Sequence, residues 1–285
     1  MSREKDSPDG RLAVLLEPKP SAVKPRIRVT PGAILAACAV VVLAVGVASL
    51  AYAQSGAPSR ASALAVVIKW SPLLLKGFAF NILISLLAMT LGTVLGAILG
   101  LFLLSDSALI RRPAWCVMQF FRNSPWLVLL FFVMFLVPYQ IEVAGVLVPL
   151  PAWIKAVVGF SLPVMANVAE IVRGAVQSLP ATQWEAAESL AFNRRQTLWM
   201  IILPQCLRRM LPPWMNMYSL ITMATVIASI VGVPEMLTLT ADVHAAEGGR
   251  PDLFAPLYGF ALICFFLYCY PIGRLTVYLE SRLHV

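Results

Sequence analysis

Hydrophobic and polar positions along this chain fall into long apolar blocks separated by short polar ones, with little of the alternation that marks a half-buried strand. A helix needs about 20 apolar residues to cross roughly 30 Å of hydrocarbon at 1.5 Å per residue. Residues 33–53, 80–104, 211–233 and 253–273 meet that length with no charged residue. Residues 115–137 are equally apolar except for Arg122-Asn123-Ser124. A sixth block, 152–176, carries Lys155, Asn167, Glu170 and Arg173, and its pattern alone does not decide whether it spans.

Charge placement decides it. Basic residues concentrate in loops on the cytoplasmic side of a membrane protein. With six spans and the amino-terminal end inside, the inside holds the basic residues of the first 32 positions, Arg111, Arg112, Arg194, Arg195, Arg208, Arg209, Arg274 and Arg282. The outside then holds only Arg60, Lys69, Lys76 and Arg250. Without a span at 152–176, the cluster Arg194–Arg209 moves outside, against the rule. The expectation is therefore an all-α integral membrane protein with about six transmembrane helices and both termini in the cytoplasm.

Composition agrees and excludes other classes. The 285 residues are 60% hydrophobic and 13% charged, against ~25% charged in soluble domains, so a water-soluble enzyme is excluded. The net charge of +8 would suggest nucleic acid in a soluble protein. Here it reports orientation in a bilayer, and no nucleic-acid partner is expected. Five cysteines without a CxxC, two histidines without HExxH and the absence of GxxxxGK[ST] leave no metal site and no phosphate loop in the sequence. The chain is expected to bind no cofactor and to have no catalytic residue.

The chain divides into a basic, proline-containing tail (1–32), an anchor (33–53), a periplasmic segment (54–77) and a main transmembrane domain (78–280). Ala51-Tyr52-Ala53 resembles a signal-peptidase site. However, the apolar run before it exceeds the usual 7–15 residues, which predicts an uncleaved anchor. The longest polar connection, 177–210, contains Gln183-Trp184-Glu185-Ala186-Ala187-Glu188-Ser189-Leu190-Ala191 and then Ile201-Ile202-Leu203-Pro204-Gln205. Strong helix formers predict a short surface helix in the first part. The run to Leu203 suits a second helix, which Pro204 should stop or kink.

The spacing of this loop resembles the EAA motif of ABC-importer permeases, EAA-x3-G-x9-I-x-LP. Glu185-Ala186-Ala187, Ala191, Ile201, Leu203 and Pro204 stand at matching intervals, with Ala191 in place of the usual glycine. Arg122-Asn123-Ser124-Pro125-Trp126-Leu127, Ala169-Glu170-Ile171-Val172-Arg173-Gly174 and Leu203-Pro204-Gln205 resemble segments of the polar amino-acid branch. Thr222-Met223-Ala224-Thr225-Val226 departs from that branch's K-x-TSL, which leaves the substrate open.

The resemblance covers roughly 78–280 and implies a five-helix permease core, so the 33–53 span is an addition. It implies a bacterial inner-membrane subunit that pairs with a second permease subunit, as homodimer or heterodimer. A separate ATPase subunit, which uses the ATP and Mg, docks on the loop helix, and a periplasmic binding protein delivers the solute. The expected docking residues are Glu185, Ala186, Ala187, Ala191, Leu203 and Pro204. The expected cargo is a polar amino acid or a related solute such as an opine or a compatible solute, moved by alternating access.

Ionisable residues inside spans are costly and functional by default. If 115–137 and 152–176 are straight spans, Arg122 and Glu170 lie at about 12 Å and about 9 Å from the same face. An intramembrane pair or gate of Arg122 with Glu170 follows, with Arg173 as the competing local partner at i+3. Ser219, Thr222, Thr225 and Ser229 fall within about 120° on an ideal helix. With Asn81, Ser85 and Asn216 they are candidates for the translocation path, or else inter-helix hydrogen-bonding groups. Gly92, Gly96 and Gly100 form a close-packing stripe. Two other classes compete: a stand-alone secondary transporter, which requires no ATPase, and an integral-membrane enzyme built on Arg122, Glu170 and Glu185.

Overall fold

The computed structural model describes residues 62–143 and 146–283. The tail, the 33–53 anchor and the Ala53 site lie outside the described residues. Helix α1 (Ala63–Leu103) runs 41 residues. Its start is fixed by Ser62, whose hydroxyl accepts the Ala65 amide, a standard N-cap arrangement. Residues 63–77 thus belong to the same helix as the 80–104 span. The run Ala63-Leu64-Ala65-Val66-Val67-Ile68 is as apolar as the span that follows, and Lys69 and Pro72 interrupt neither the pattern nor the helix.

The next block departs from a straight span. Helix α2 (Ala108–Asn123) and helix α3 (Trp126–Leu136) meet at 107° across Ser124-Pro125. Pro125 has no amide to donate and forces Ser124 into an extended conformation, here φ −82° and ψ 140°. At 11 residues, α3 covers only about 16 Å, so it cannot cross a bilayer alone. A hairpin follows, β1 (Gln140–Val143) antiparallel to β2 (Val146–Pro149), with Ile141 opposite Val148. This small sheet is a departure from an all-α fold, and Gln140-Ile141-Glu142-Val143 carries the alternation that favours it.

Helix α4 (Ala152–Gln177) is continuous despite Lys155, Asn167, Glu170 and Arg173 and makes its largest interface with α1. The glycine stripe explains how close that interface is. A Cβ on Gly96 would stand 2.6 Å from the Met165 carbonyl oxygen and 2.7 Å from Val168 Cβ, and Gly92 and Gly100 face Val164 and Val172 in the same way. The stripe therefore packs two helices of one chain. Ile84, Leu130, Phe160 and Ile221 occupy the centre of the main core.

After α4 come α5 (Ala181–Ser189), a single turn α6 (Arg194–Gln196), a wide helical turn over Thr197–Ile202 with i→i+5 bonding, and α7 (Leu203–Ala224). Pro204 does not end a helix. It stands in the first turn of α7, where the widened turn before it spares its ring a clash with the preceding carbonyls. The helix then tightens to a 3₁₀ segment at Thr225–Val231 and closes at Gly232, φ +78°. Helix α8 (Met236–Ala246) and helix α9 (Phe254–Leu283) complete the fold. Among the described residues, four helical stretches are long and apolar enough to cross a membrane, and the bent α2–α3 pair makes a fifth.

Candidate functional site

The loop helix α5 has two different faces. Ala187 is buried, 2% exposed, and Trp184 is half-buried, whereas Glu185, Ala186, Glu188 and Ser189 point outward. The inner face is tied to the helical body by polar contacts. Gln205 Nε2 donates to Gln183 Oε1 at 3.1 Å, Arg194 lies 5.6 Å from the Trp184 ring centroid, and Arg194 pairs with Asp106 at 2.7 Å. Arg209 reaches back to donate to the Ser178 carbonyl at 3.0 Å. The outer face is thus a small surface carrying Ala186 and two carboxylates, Glu185 and Glu188, held from behind.

The end of α5 accounts for the position where the motif has glycine. The Phe192 amide donates to the Ala187 carbonyl at 3.1 Å, and the Ala191 amide donates to the Glu188 carbonyl at 2.9 Å. These two bonds form a Schellman closure, whose C′ residue must be left-handed. That residue is Ala191, at φ +60°. The tight turn is therefore made even without glycine, and alanine bears its steric cost. Downstream, Asn193 accepts the Gln196 amide while Gln196 accepts the Asn193 amide, both at 2.9 Å. This capping box starts the run into Leu203 and Pro204.

Among the charges expected inside the spans, Arg122 Nη1 stands 3.3 Å from Glu170 Oε1. Arg173 makes the closer contact, donating from Nε and Nη2 to the two Glu170 oxygens at 2.7 Å each. Both expected partners thus share one carboxylate. Equal depth on two straight spans is not what brings Arg122 there. The bend at Pro125 lets α2 lie against α4 directly, and Arg122 comes from the end of α2.

The candidates for a translocation path separate into three kinds. Asn81 and Thr225 lie in a saturated, fully buried junction: Asn81 Nδ2 donates to Thr225 Oγ1 at 3.0 Å and to Glu235 Oε2 at 2.9 Å, and Asn81 Oδ1 accepts the Met236 amide at 3.0 Å. Glu235 Oε1 caps α8 by accepting the Thr238 amide at 2.9 Å. Ser85, Thr222 and Ser229 return their hydroxyls to carbonyls of their own helices, the usual alternative for such residues in apolar helices. Asn216 is exposed, and the Ser219 hydroxyl is buried without a hydrogen-bond partner. The ideal-helix stripe also ends early, because Thr225 begins the tighter 3₁₀ segment.

Two supports had no expected role. Lys155, 1% exposed, donates to the Val137 carbonyl at 2.8 Å and lies 3.3 Å from the Tyr139 ring centroid. It neutralises the carbonyl end of α3. At the far end of α1, Glu247 accepts from Lys69 Nζ at 2.9 Å and from Trp70 Nε1 at 2.7 Å. Those hydrogen bonds hold its carboxyl below the usual carboxylate range. Lys155 stands out in sequence as a cation near the start of an apolar block, but its partners are carbonyls and a ring that no spacing reveals.

Comparison with known proteins places this arrangement. The model of the binding-protein-dependent transport system inner membrane component family matches residues 92–285. A probable amino-acid ABC transporter permease protein, YckA of Bacillus subtilis, is 37% identical over 206 residues, covering 72% of this chain and 86% of its own length. The histidine/lysine/arginine/ornithine transport system permease protein HisM of Escherichia coli is 30% identical over 226 residues, covering 75% and 92%. Among solved structures, an amino acid ABC transporter crystallised with histidines superposes with a TM-score of 0.66 at 24% identity, over 76% of this chain and 96% of that one. The MetNI methionine ABC transporter in an inward-facing conformation gives 0.58 at 14% identity, over 76% and 98%. The family match, the apolar spans and the outward-facing helix at the EAA positions lead to one assignment: the chain belongs to the binding-protein-dependent inner membrane component family, as a multi-pass permease subunit of an ABC importer of the polar amino-acid type.

Proposed function

We propose that this permease carries a polar amino acid or a related small solute, such as an opine or a compatible solute, inward by alternating access, and that helix α5 transmits the closure of a separate ATPase subunit to the spans. The ATPase subunit uses the ATP and Mg; this chain binds neither and is not itself an enzyme. Its loop helix and both termini face the cytoplasm. A second permease subunit completes the path, and a periplasmic binding protein delivers the solute to the opposite face.

The observation that carries the reading is the two-faced α5. Its outward Glu185 and Ala186 stand on a helix closed by the Ala191 turn and tied to the body through Gln183–Gln205 and Arg194–Asp106. A docking helix must present a shape to its partner and must resist bending when pushed, and both features are supplied here. Names of relatives such as the L-cystine permease TcyB of Bacillus subtilis support the amino-acid cargo. In the apolar stretch 211–224 of α7, Asn216 and Ser219 are the polar side chains with no hydrogen bond among the described residues, and we assign them to solute contact.

Co-purification tests the docking. Tagged full-length permease, solubilised mildly from its host, should bring an ATPase subunit with it, and Glu185→Lys should lose that partner while inserting normally. Recovery of the permease with no ATPase subunit, in detergent that keeps other ABC importers intact, would favour a stand-alone secondary transporter.

A further inference from the structure

Behind α5 lies a cavity of about 400 Å³. Ala181 and Trp184 of α5 form one wall, Leu104 and Val176 at the ends of α1 and α4 form another, and Arg111 and Arg194 supply the charged side chains that line it. Arg111 donates to the carbonyls of Ser105 and Asp106, and Arg194 pairs with the Asp106 carboxylate. Arg194 thus has a carboxylate partner and Arg111 only main-chain carbonyls, which leaves a surplus positive charge at the cavity.

A second cavity, of about 370 Å³, lies one helical turn away along the same two helices. Leu101 stands one turn before Leu104 on α1, and Val172 one turn before Val176 on α4. Ala97, Trp199, Leu207 and Met210 also line it, together with Leu203 and Pro204 of the loop motif, and no charged residue does. Trp199 and Leu207 are 54% and 66% exposed, so the groove opens on the outer surface of the helical body.

A cationic compartment one helical turn from an apolar one, on the flank of a membrane protein, has the form of a site for an anionic amphiphile. We infer that this groove binds an anionic phospholipid, its phosphate on Arg111 and Arg194 and one acyl chain along Ala97, Leu101, Val172 and Trp199. Guanidinium groups suit phosphate through paired, charge-assisted hydrogen bonds, and basic residues beside a span draw anionic headgroups. A headgroup there rests against Ala181 and Trp184, the inner face of α5, and braces the helix from behind. The lipid site stands independently of ATPase docking, because binding is read on the permease alone.

Native mass spectrometry of the full chain in detergent tests it, titrating phosphatidylglycerol, phosphatidylcholine of the same acyl chains, or inorganic phosphate. Phosphatidylglycerol should be retained in preference to phosphatidylcholine, and inorganic phosphate should not displace it at equal concentration. The double variant Arg111→Gln/Arg194→Gln should weaken retention about tenfold. Ala97→Trp, which fills the apolar compartment and leaves both guanidinium groups in place, should weaken it as well. It decides the matter if the double variant fails to fold. Equal binding of the two lipids, displacement by phosphate, or retention unchanged in Ala97→Trp would overturn the site. The last result is also what a groove already filled by residues 33–53 or by a second copy would give.

Discussion

Around Asn81, Thr225, Glu235 and the Met236 amide, polar groups exchange hydrogen bonds wholly out of reach of water. About 33 Å further along α1, beyond Leu103, a nine-residue helix holds Glu185 and Ala186 outward. Both regions use a carboxylate at a short helix. Glu235 caps α8 from inside and is satisfied by its own chain, whereas Glu185 sits mid-helix and faces away from it. The contrast shows that the burial and bonding of a polar group separate what holds the subunit together from what it offers to another molecule. Asn81 and Thr225 hold helices together, and α5 presents a surface.

Breaking the buried junction should have the largest effect. Asn81→Leu removes the donor to Glu235 and the acceptor for the Met236 amide, each an unsatisfied group of about 1–3 kcal/mol. Thermal unfolding of the purified permease should shift down by an amount equivalent to about 3 kcal/mol or more, and an unchanged midpoint would show that the junction is not structural. Next in size is the shared carboxylate. Arg173→Ala, which loses two bonds of 2.7 Å, should destabilise by about 1–2 kcal/mol, and Arg122→Ala, at 3.3 Å and partly exposed, by less than about 1 kcal/mol. The reverse order in unfolding midpoints would make Arg122 the principal partner.

Smaller effects sharpen the other side. Ala191→Gly relieves a left-handed alanine at φ +60° and should stabilise α5 by about 1 kcal/mol or less, since glycine also loses more entropy on ordering. Protection of the Phe192 amide against hydrogen exchange reads it directly. The smallest effect is a pH dependence at Glu247. Its folded carboxyl titrates below the ordinary range because Lys69 and Trp70 donate to it. Its contribution is thus complete above the ordinary carboxylate pKa and is lost as pH falls through the lower folded value. Glu247→Gln should flatten the acid limb of the unfolding midpoint against pH, and an identical limb would contradict this.

Much of this division was legible in the sequence, and the rest was hidden for physical reasons. Spans register as length and apolarity, and charge placement recovered α4 despite Lys155, Glu170 and Arg173. The EAA spacing located α5, whereas the left-handed turn at Ala191 stands where the motif has glycine and this sequence does not. Composition does not register direction, so the bend at Ser124-Pro125 passed as a straight span although Pro125 was visible. Helix α8 is short and carries Thr238, Thr240 and Asp242, which reads as loop. Its approach to α1 depends on Gly77, where a Cβ would stand 2.8 Å from Met236 Cα. The 3₁₀ segment at Thr225 and the carbonyl partners of Lys155 depend on tertiary packing, and no local pattern encodes either.

The measurement that bears most directly on the central claim is solute-stimulated ATP hydrolysis by the assembled importer in lipid, compared between wild type and Glu185→Lys at equal permease stability. If α5 is the coupling surface, the wild type should hydrolyse ATP faster when binding protein and solute are added, and the variant should show no such response while its unfolding midpoint is unchanged. Full stimulation in Glu185→Lys, with the ATPase subunit still bound, would contradict the assignment of α5 to coupling.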